Sequence, residues 1–340
     1  MSRSKTISLI LVIAIVLLVI ANLAFGSVKI PFNEVFGILS GNEPSKDSWR
    51  IIVIESRLPQ SLTALLCGMA LAVSGLILQT AFRNPLAGPD ILGVNSGAGL
   101  GVALVMLFFG GNLSAGSVTL GSSISVIIGA FIGALLIMGL ILLLSGKLKN
   151  NIMLLIAGIM ISFITSSIIS LLNFFSTAEG VHSYAMWGMG NFGGVTRSQL
   201  PLFSIITIIG LIIAVILIKP LNALLLGDYY AENLGINIKK TRTWLLLSTG
   251  LLVAVTTAYC GPISFLGLAV PHLARLLLKS NNHRSLMPVT ILTGASIALI
   301  CNLISSLPGD KGLIPLNAIT PIVGAPIIIY VLIKNSRSFR

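Results

Sequence analysis

Apolar runs of about twenty residues recur along almost the whole chain, and no other feature limits its fold so strongly. The hydrocarbon core of a bilayer is about 30 Å thick and an α-helix rises about 1.5 Å per residue, so runs of this length can cross it. Ten candidates stand out: residues 7–26, 59–81, 91–109, 121–145, 151–174, 199–219, 242–260, 263–278, 285–306 and 314–334. The eighth is short and carries Pro271. Long runs with Gly and Pro inside them predict helices, since barrel strands alternate in ten-residue units. Composition closes the soluble alternative: 55% of the 340 residues are hydrophobic and 9% charged, against about 25% charged in soluble domains. The first run, Ile7–Phe25 with only Ser8 and Asn22 interrupting, outlasts a signal h-region of about 7–15 residues. It reads as a retained span. The expected fold is an all-α membrane protein of about ten transmembrane helices, one domain over residues 1–340.

Charge orients the bundle. With ten spans and both termini on one side, fifteen Lys and Arg fall on the terminal side and six on the other. The acids divide three against six, so the whole net charge of +12 lies on one face. Lys and Arg stay cytoplasmic during insertion. Both termini are therefore expected in the cytoplasm. The basic excess is topological, and no basic soluble surface for nucleic acid is present.

Two external loops are long, 27–58 and the Gly-rich 175–198. Inside, the polar insertion 220–241 carries apolar residues at helical spacing between charged ends, which predicts short helices lying on a cytoplasmic partner or the bilayer surface; a plain solvated loop is the alternative. No Gly-Lys pair has the spacing of a phosphate loop, so any ATP-driven work needs a second polypeptide. The GxGxxG at Gly188–Gly193 lacks the strand and βαβ unit that a dinucleotide site requires, and its glycines read as turns or close backbone contacts. Cys67, Cys260 and Cys301 sit in apolar runs without metal spacing and read as packing residues. His182 lies in a loop, and a surface histidine outweighs a haem contact. Gly93, Gly97 and Gly101, with Gly129 and Gly133, are spaced for close helix approach. No acid falls at mid-membrane depth, which disfavours a proton-coupled carrier but leaves sodium coupling through carbonyls open. Two Gly-Pro breaks, Gly88-Pro89 to Gly93 and Gly261-Pro262 to Gly267, fall five spans apart on opposite sides. An inverted repeat is one reading of that pair, and chance is the other.

Several ordered motifs complete the picture: Arg57-Leu-Pro-Gln60, Gly68–Gly75, Gln79-Thr-Ala-Phe-Arg-Asn84-Pro85-Leu-Ala-Gly88-Pro89-Asp-Ile-Leu-Gly93, Leu155–Gly158, Trp187–Gly190, Leu226-Gly227-Asp228-Tyr-Tyr-Ala231-Glu232-Asn-Leu234-Gly235, and Gly261-Pro262 through Pro271 to Arg275. Over residues 50–334 the chain closely resembles the iron-siderophore and cobalamin permeases of ATP-binding-cassette importers. The resemblance implies a location in the bacterial inner membrane, ten helices per subunit, a second permease copy, two cytoplasmic ATPase subunits that use ATP and Mg, and a periplasmic or lipid-anchored substrate-binding protein. The permease itself is then no enzyme and binds no cofactor or metal.

The resemblance further implies that Leu226, Gly227, Asp228, Ala231, Glu232, Leu234 and Gly235 form the coupling segment, and that Asn150 and Asn151 belong to a cytoplasmic gate. It implies docking of the binding protein on external arginines. Arg57 matches the first such position, but the second is Gln60. The acid-and-arginine motif before the last external loop is replaced by Cys301–Ser306, and the motif after it reads Leu313-Ile-Pro-Leu-Asn317, so Arg50 or Lys311 is expected to substitute in part. The expected substrate is a bulky metal chelate, ferric siderophore first, with cobalamin or haem next. The alternatives are an ion-coupled secondary carrier and a passive channel.

Overall fold

The ten apolar runs fold as helices, because inside a bilayer a helix satisfies its own N–H and C=O groups. The computed structural model describes residues 3–111, 113–115, 118–120, 122–148, 151–307 and 312–336. In chain order the helices are α1 (Arg3–Ala24), α2 (Phe32–Leu39), α3 (Asp47–Ile51), α4 (Leu58–Ala81), α5 (Val94–Ala103), α6 (Ser122–Lys147), α7 (Asn151–Phe175), α8 (Ala178–Gly188), α9 (Leu200–Ile216), α10 (Ile218–Leu226), α11 (Asp228–Asn233), α12 (Ile238–Cys260), α13 (Leu266–Leu278), α14 (His283–Ser305) and α15 (Leu316–Ser336). Two π-helical stretches, Ile52–Arg57 and Leu104–Phe108, lead into α4 and extend α5. A small antiparallel hairpin pairs Leu113–Ala115 with Val118–Leu120.

Among the described residues, six helices are long and apolar enough to cross a membrane, and the pair α9–α10, bent by 48°, makes a seventh. Three shorter apolar helices, Val94–Phe108, Leu266–Leu278 and Leu316–Tyr330, occupy the remaining expected spans. The run 199–219 is therefore not straight: it bends at Leu217, and α10 turns aside. Thirteen residues of α13 rise only about 20 Å, short of the hydrocarbon thickness.

α4 is the hub, packed by α14, α12, α13 and α9, and every residue from Ala70 to Thr80 is buried. Close approach explains its glycines. A β-carbon on Gly75 would run into the Gly267 carbonyl of α13. The glycine ladder behaves as its spacing predicts: α5 crosses α6 with Gly97 on Gly133 and Gly101 on Gly129. The outer helices expose the opposite character. Leu9, Ile13 and Leu17 on α1, and Leu136 and Leu143 on α6, lie open, a surface suited to lipid rather than water.

Side-chain ties sort into two ends. At one end Arg3 donates to the Leu277 carbonyl of α13 through Nε (3.1 Å) and Nη2 (2.9 Å). At the same end the His283 Nε2 of α14 meets Thr80 Oγ1 of α4 at 2.9 Å. At the other end Asn22 of α1 joins Asn302 of α14 (2.8 Å), and Arg197 pairs with Glu55 (2.6 Å). The inner end is the one that holds Arg3, and the outer end is the one that holds the Arg197–Glu55 pair.

Candidate translocation and coupling site

At the inner end, α10 and α11 form the two short helices that the polar insertion predicts. Leu221, Leu224 and Ala231 are buried and fasten them to the bundle. Gly227, at φ +116, makes the corner between them, a conformation that a β-carbon disfavours. Leu226, Tyr229, Tyr230 and Leu234 are each more than 60% exposed, an apolar face that none of the described residues covers. Glu232 is exposed beside it. Gly235, at φ +81, turns the chain into α12, whose first turn is capped by Asn237 Oδ1 accepting from the Lys240 N–H at 2.9 Å. Asp228 faces Arg83 at 2.6 Å and Arg242 at 3.9 Å.

Behind this face, polar side chains bind the inner ends of four helices together. Arg275 of α13 donates to Gln79 Oε1 of α4 at 2.6 Å, and the Gln79 amide donates to the Leu268 carbonyl at 3.2 Å. His272 meets the Pro85 carbonyl at 2.8 Å. Asn222 of α10 accepts from the His283 N–H at 2.8 Å. Asn84 folds back to accept from the Leu86 N–H at 2.9 Å.

The two Gly-Pro breaks enter from opposite ends and meet. Pro89–Leu92 forms one 3-10 turn ending at Gly93, φ +75. Pro89 lies against Gly267, where a β-carbon would sit 2.6 Å from its Cδ. Asn95 ties the first break across the bundle, donating to Asp90 and accepting from Thr257 Oγ1, the latter at 2.6 Å. The second break, Gly261–Phe265, is held by Asn317 of α15. Its amide donates to the carbonyls of Pro262 (2.6 Å) and Gly188 (2.9 Å), and its Oδ1 accepts from the Ser264 N–H (3.1 Å). Irregular backbone at membrane depth needs such partners. Pro271 is buried within α13. Gly188–Gly193 belongs to the same assembly: the Asn191 N–H bonds to the Cys260 carbonyl at 2.8 Å.

At the outer end Arg57 is folded inward; only 6% of the residue is exposed. The π-helical stretch swings it inward, where Nη1 donates to the carbonyls of Leu23 (2.7 Å) and Ala24 (3.0 Å) and Nη2 to that of Val28. Gln60 is likewise engaged, donating to Asn302 Oδ1 at 2.9 Å. Both line a cavity of about 320 Å³ shared with Asn22, Asn302 and Ser306. Arg50, by contrast, is exposed. Lys311 and Asn150 lie outside the described residues; Asn151 opens α7. Cys67, Cys260 and Cys301 are free and buried. Sequence reading passed over Asn95, met Asn22 only as an interruption of the first run, and met Asn302 and Asn317 only within departures from the docking motifs. The available signal was an amide placed within, or at the start of, an otherwise apolar run.

The interlocked breaks, the exposed apolar faces of the outer helices and the short inner helices define a polytopic helical membrane protein. Residues 13–334 match the FecCD transport family. The vitamin B12 import system permease protein BtuC of Klebsiella pneumoniae subsp. pneumoniae is 36% identical over 287 residues, covering 84% of this chain and 83% of that protein. BtuC of Salmonella typhi is 35% identical over 291 residues, covering 84% and 85%. A solved structure presented as an inward-facing conformation of a metal-chelate type ABC transporter superposes with a TM-score of 0.83 at 29% identity, over 97% of this chain and 99% of that one. PsaBC from Streptococcus pneumoniae, in complex with Fab, shares the fold alone: TM-score 0.55, 16% identity, 88% of this chain and 94% of that one. The chain belongs to the FecCD transport family. It is a multi-pass inner-membrane permease subunit of an ABC importer of the FecCD and BtuC type, and not itself an enzyme.

Proposed function

We propose that two copies of this chain form the path through which a bulky metal chelate enters the cell, driven by ATP and Mg in two cytoplasmic ATPase subunits. The observation that carries this reading is the exposed apolar face of α10–α11 at the inner end of the bundle. Leu226, Tyr229, Tyr230 and Leu234 form a surface for a protein partner, with Asp228 and Glu232 at its edge. Both termini lie in the cytoplasm with this face, as the charge asymmetry supports. A substrate-binding protein docks at the outer end on exposed groups such as Arg50, while Asn150 and Asn151 gate the inner mouth.

The relatives' role in vitamin B12 import favours a corrinoid cargo; a ferric siderophore is the second candidate and haem the third. The apolar runs hold no Asp or Glu at mid-depth, which disfavours a proton-coupled carrier. The test is reconstitution with the ATPase and binding protein, scoring cyanocobalamin, ferric siderophores and haem for stimulation of ATPase activity and for uptake. Uptake that follows an ion gradient and ignores ATP would overturn the reading.

A further inference from the structure

At the inner end of α4 the chain turns through a Schellman motif. The Arg83 N–H bonds to the Thr80 carbonyl and the Asn84 N–H to the Gln79 carbonyl, both at 3.2 Å. The motif places its first residue beyond the cap in the left-handed region, where glycine is the usual choice. Here that residue is Arg83, at φ +46. A side chain in this region carries a steric cost that glycine avoids. What the arginine gains is reach: its Nη2 meets Asp228, the first residue of α11, at 2.6 Å. The same turn is held from the opposite side, where the Pro85 carbonyl meets His272 of α13 at 2.8 Å. From there it runs directly into the first break, where Pro89 packs on Gly267.

We propose that Arg83 is a positioning residue whose ion pair with Asp228 passes displacement of α11 into the turn after α4 and on to the break at Pro89. The proposal rests on the importer reading, in which an ATPase moves α11. Arg83 and Asp228 are about half-exposed, so their pair adds little to stability; its contribution is a fixed path between two elements.

The test uses the reconstituted complex with its ATPase and a bimane fluorophore on Leu86→Cys, an exposed position in the turn. The readouts are the emission shift on adding MgATP and the unfolding temperature. Arg83→Asn, which tolerates the left-handed backbone, and Asp228→Asn each reduce the shift by about two- to fivefold, the scale of an exposed ion pair. The double variant loses no more than either single one, as partners in one interaction do. Arg83→Gly loses the shift equally while its unfolding temperature holds or rises, a combination that a merely structural cap does not produce. A full shift in Arg83→Gly or Arg83→Asn, additive losses, or a Leu86 probe silent to MgATP while ATP is hydrolysed would overturn the clasp alone. Failure of the chain to engage an ATPase at all would overturn the importer reading, and the clasp with it.

Discussion

Asn317→Ala isolates what a single amide does for a broken helix. In the folded protein Asn317 makes three hydrogen bonds, to Pro262, Gly188 and Ser264, at 2.6, 2.9 and 3.1 Å. Alanine leaves two carbonyls and one N–H of irregular backbone without partners. Polar contacts between membrane helices are worth about 0.6–1.7 kcal/mol each, so the three together come to about 2–5 kcal/mol. At about 2 °C per kcal/mol for a chain of this size, the unfolding temperature falls by about 4–10 °C. Asn317→Asp sharpens the test. Its carboxylate still accepts from Ser264 but donates to neither carbonyl, and its charge faces both oxygens, so it falls at least as far as alanine. Thermal unfolding in detergent, followed by size-exclusion chromatography, reads both variants. An aspartate variant as stable as the wild type would refute the reasoning, because it shows that the two carbonyls need no donor.

Gly75→Ala drives a β-carbon into the Gly267 backbone and abolishes folded protein on size-exclusion profiles, whereas Gly88→Ala, with its nearest neighbour 4.0 Å away, folds normally. Arg57→Met strips three carbonyls of their donor and lowers stability by about 2–4 kcal/mol. Measured by titration at low salt, it weakens binding-protein affinity less than Arg50→Glu does. Glu34 accepts from the Ser45 hydroxyl and N–H, which hold its carboxyl below the usual carboxylate value of 4.5. This tie is complete above that value and lost as pH falls through the lowered one, so pepsin cleavage of the 40–46 loop rises only in strong acid. Ser45→Ala moves that rise to higher pH.

Spans were legible because lipid imposes one requirement on every residue facing it, and a run such as Leu9–Leu17 states that requirement locally. The helix ends were less so. Leu217 sits in an apolar run that reads as one straight helix, and its bend follows from packing against α4 and α14. Arg57 was legible as a motif residue but not as an inward one. Its direction depends on the π-helical stretch Ile52–Arg57, which inserts extra backbone into a turn whose side chains read as ordinary helix. Arg83 was legible as a loop cation on its face and as a member of the Gln79–Gly93 motif but not as the partner of Asp228, which lies 145 residues away.

The two breaks show how far local reading reaches and where it must stop. Gly-Pro pairs announce interrupted helices, and physics then requires each interruption to find donors and acceptors within the protein. Each break is secured by an asparagine of different origin: Asn95, just beyond the first break, and Asn317, on a helix distant in sequence from the second. Gly267 and Pro89 bring the breaks into contact. On the proposed clasp, a push on α11 that reaches Pro89 through Arg83 meets Gly267 at the start of α13.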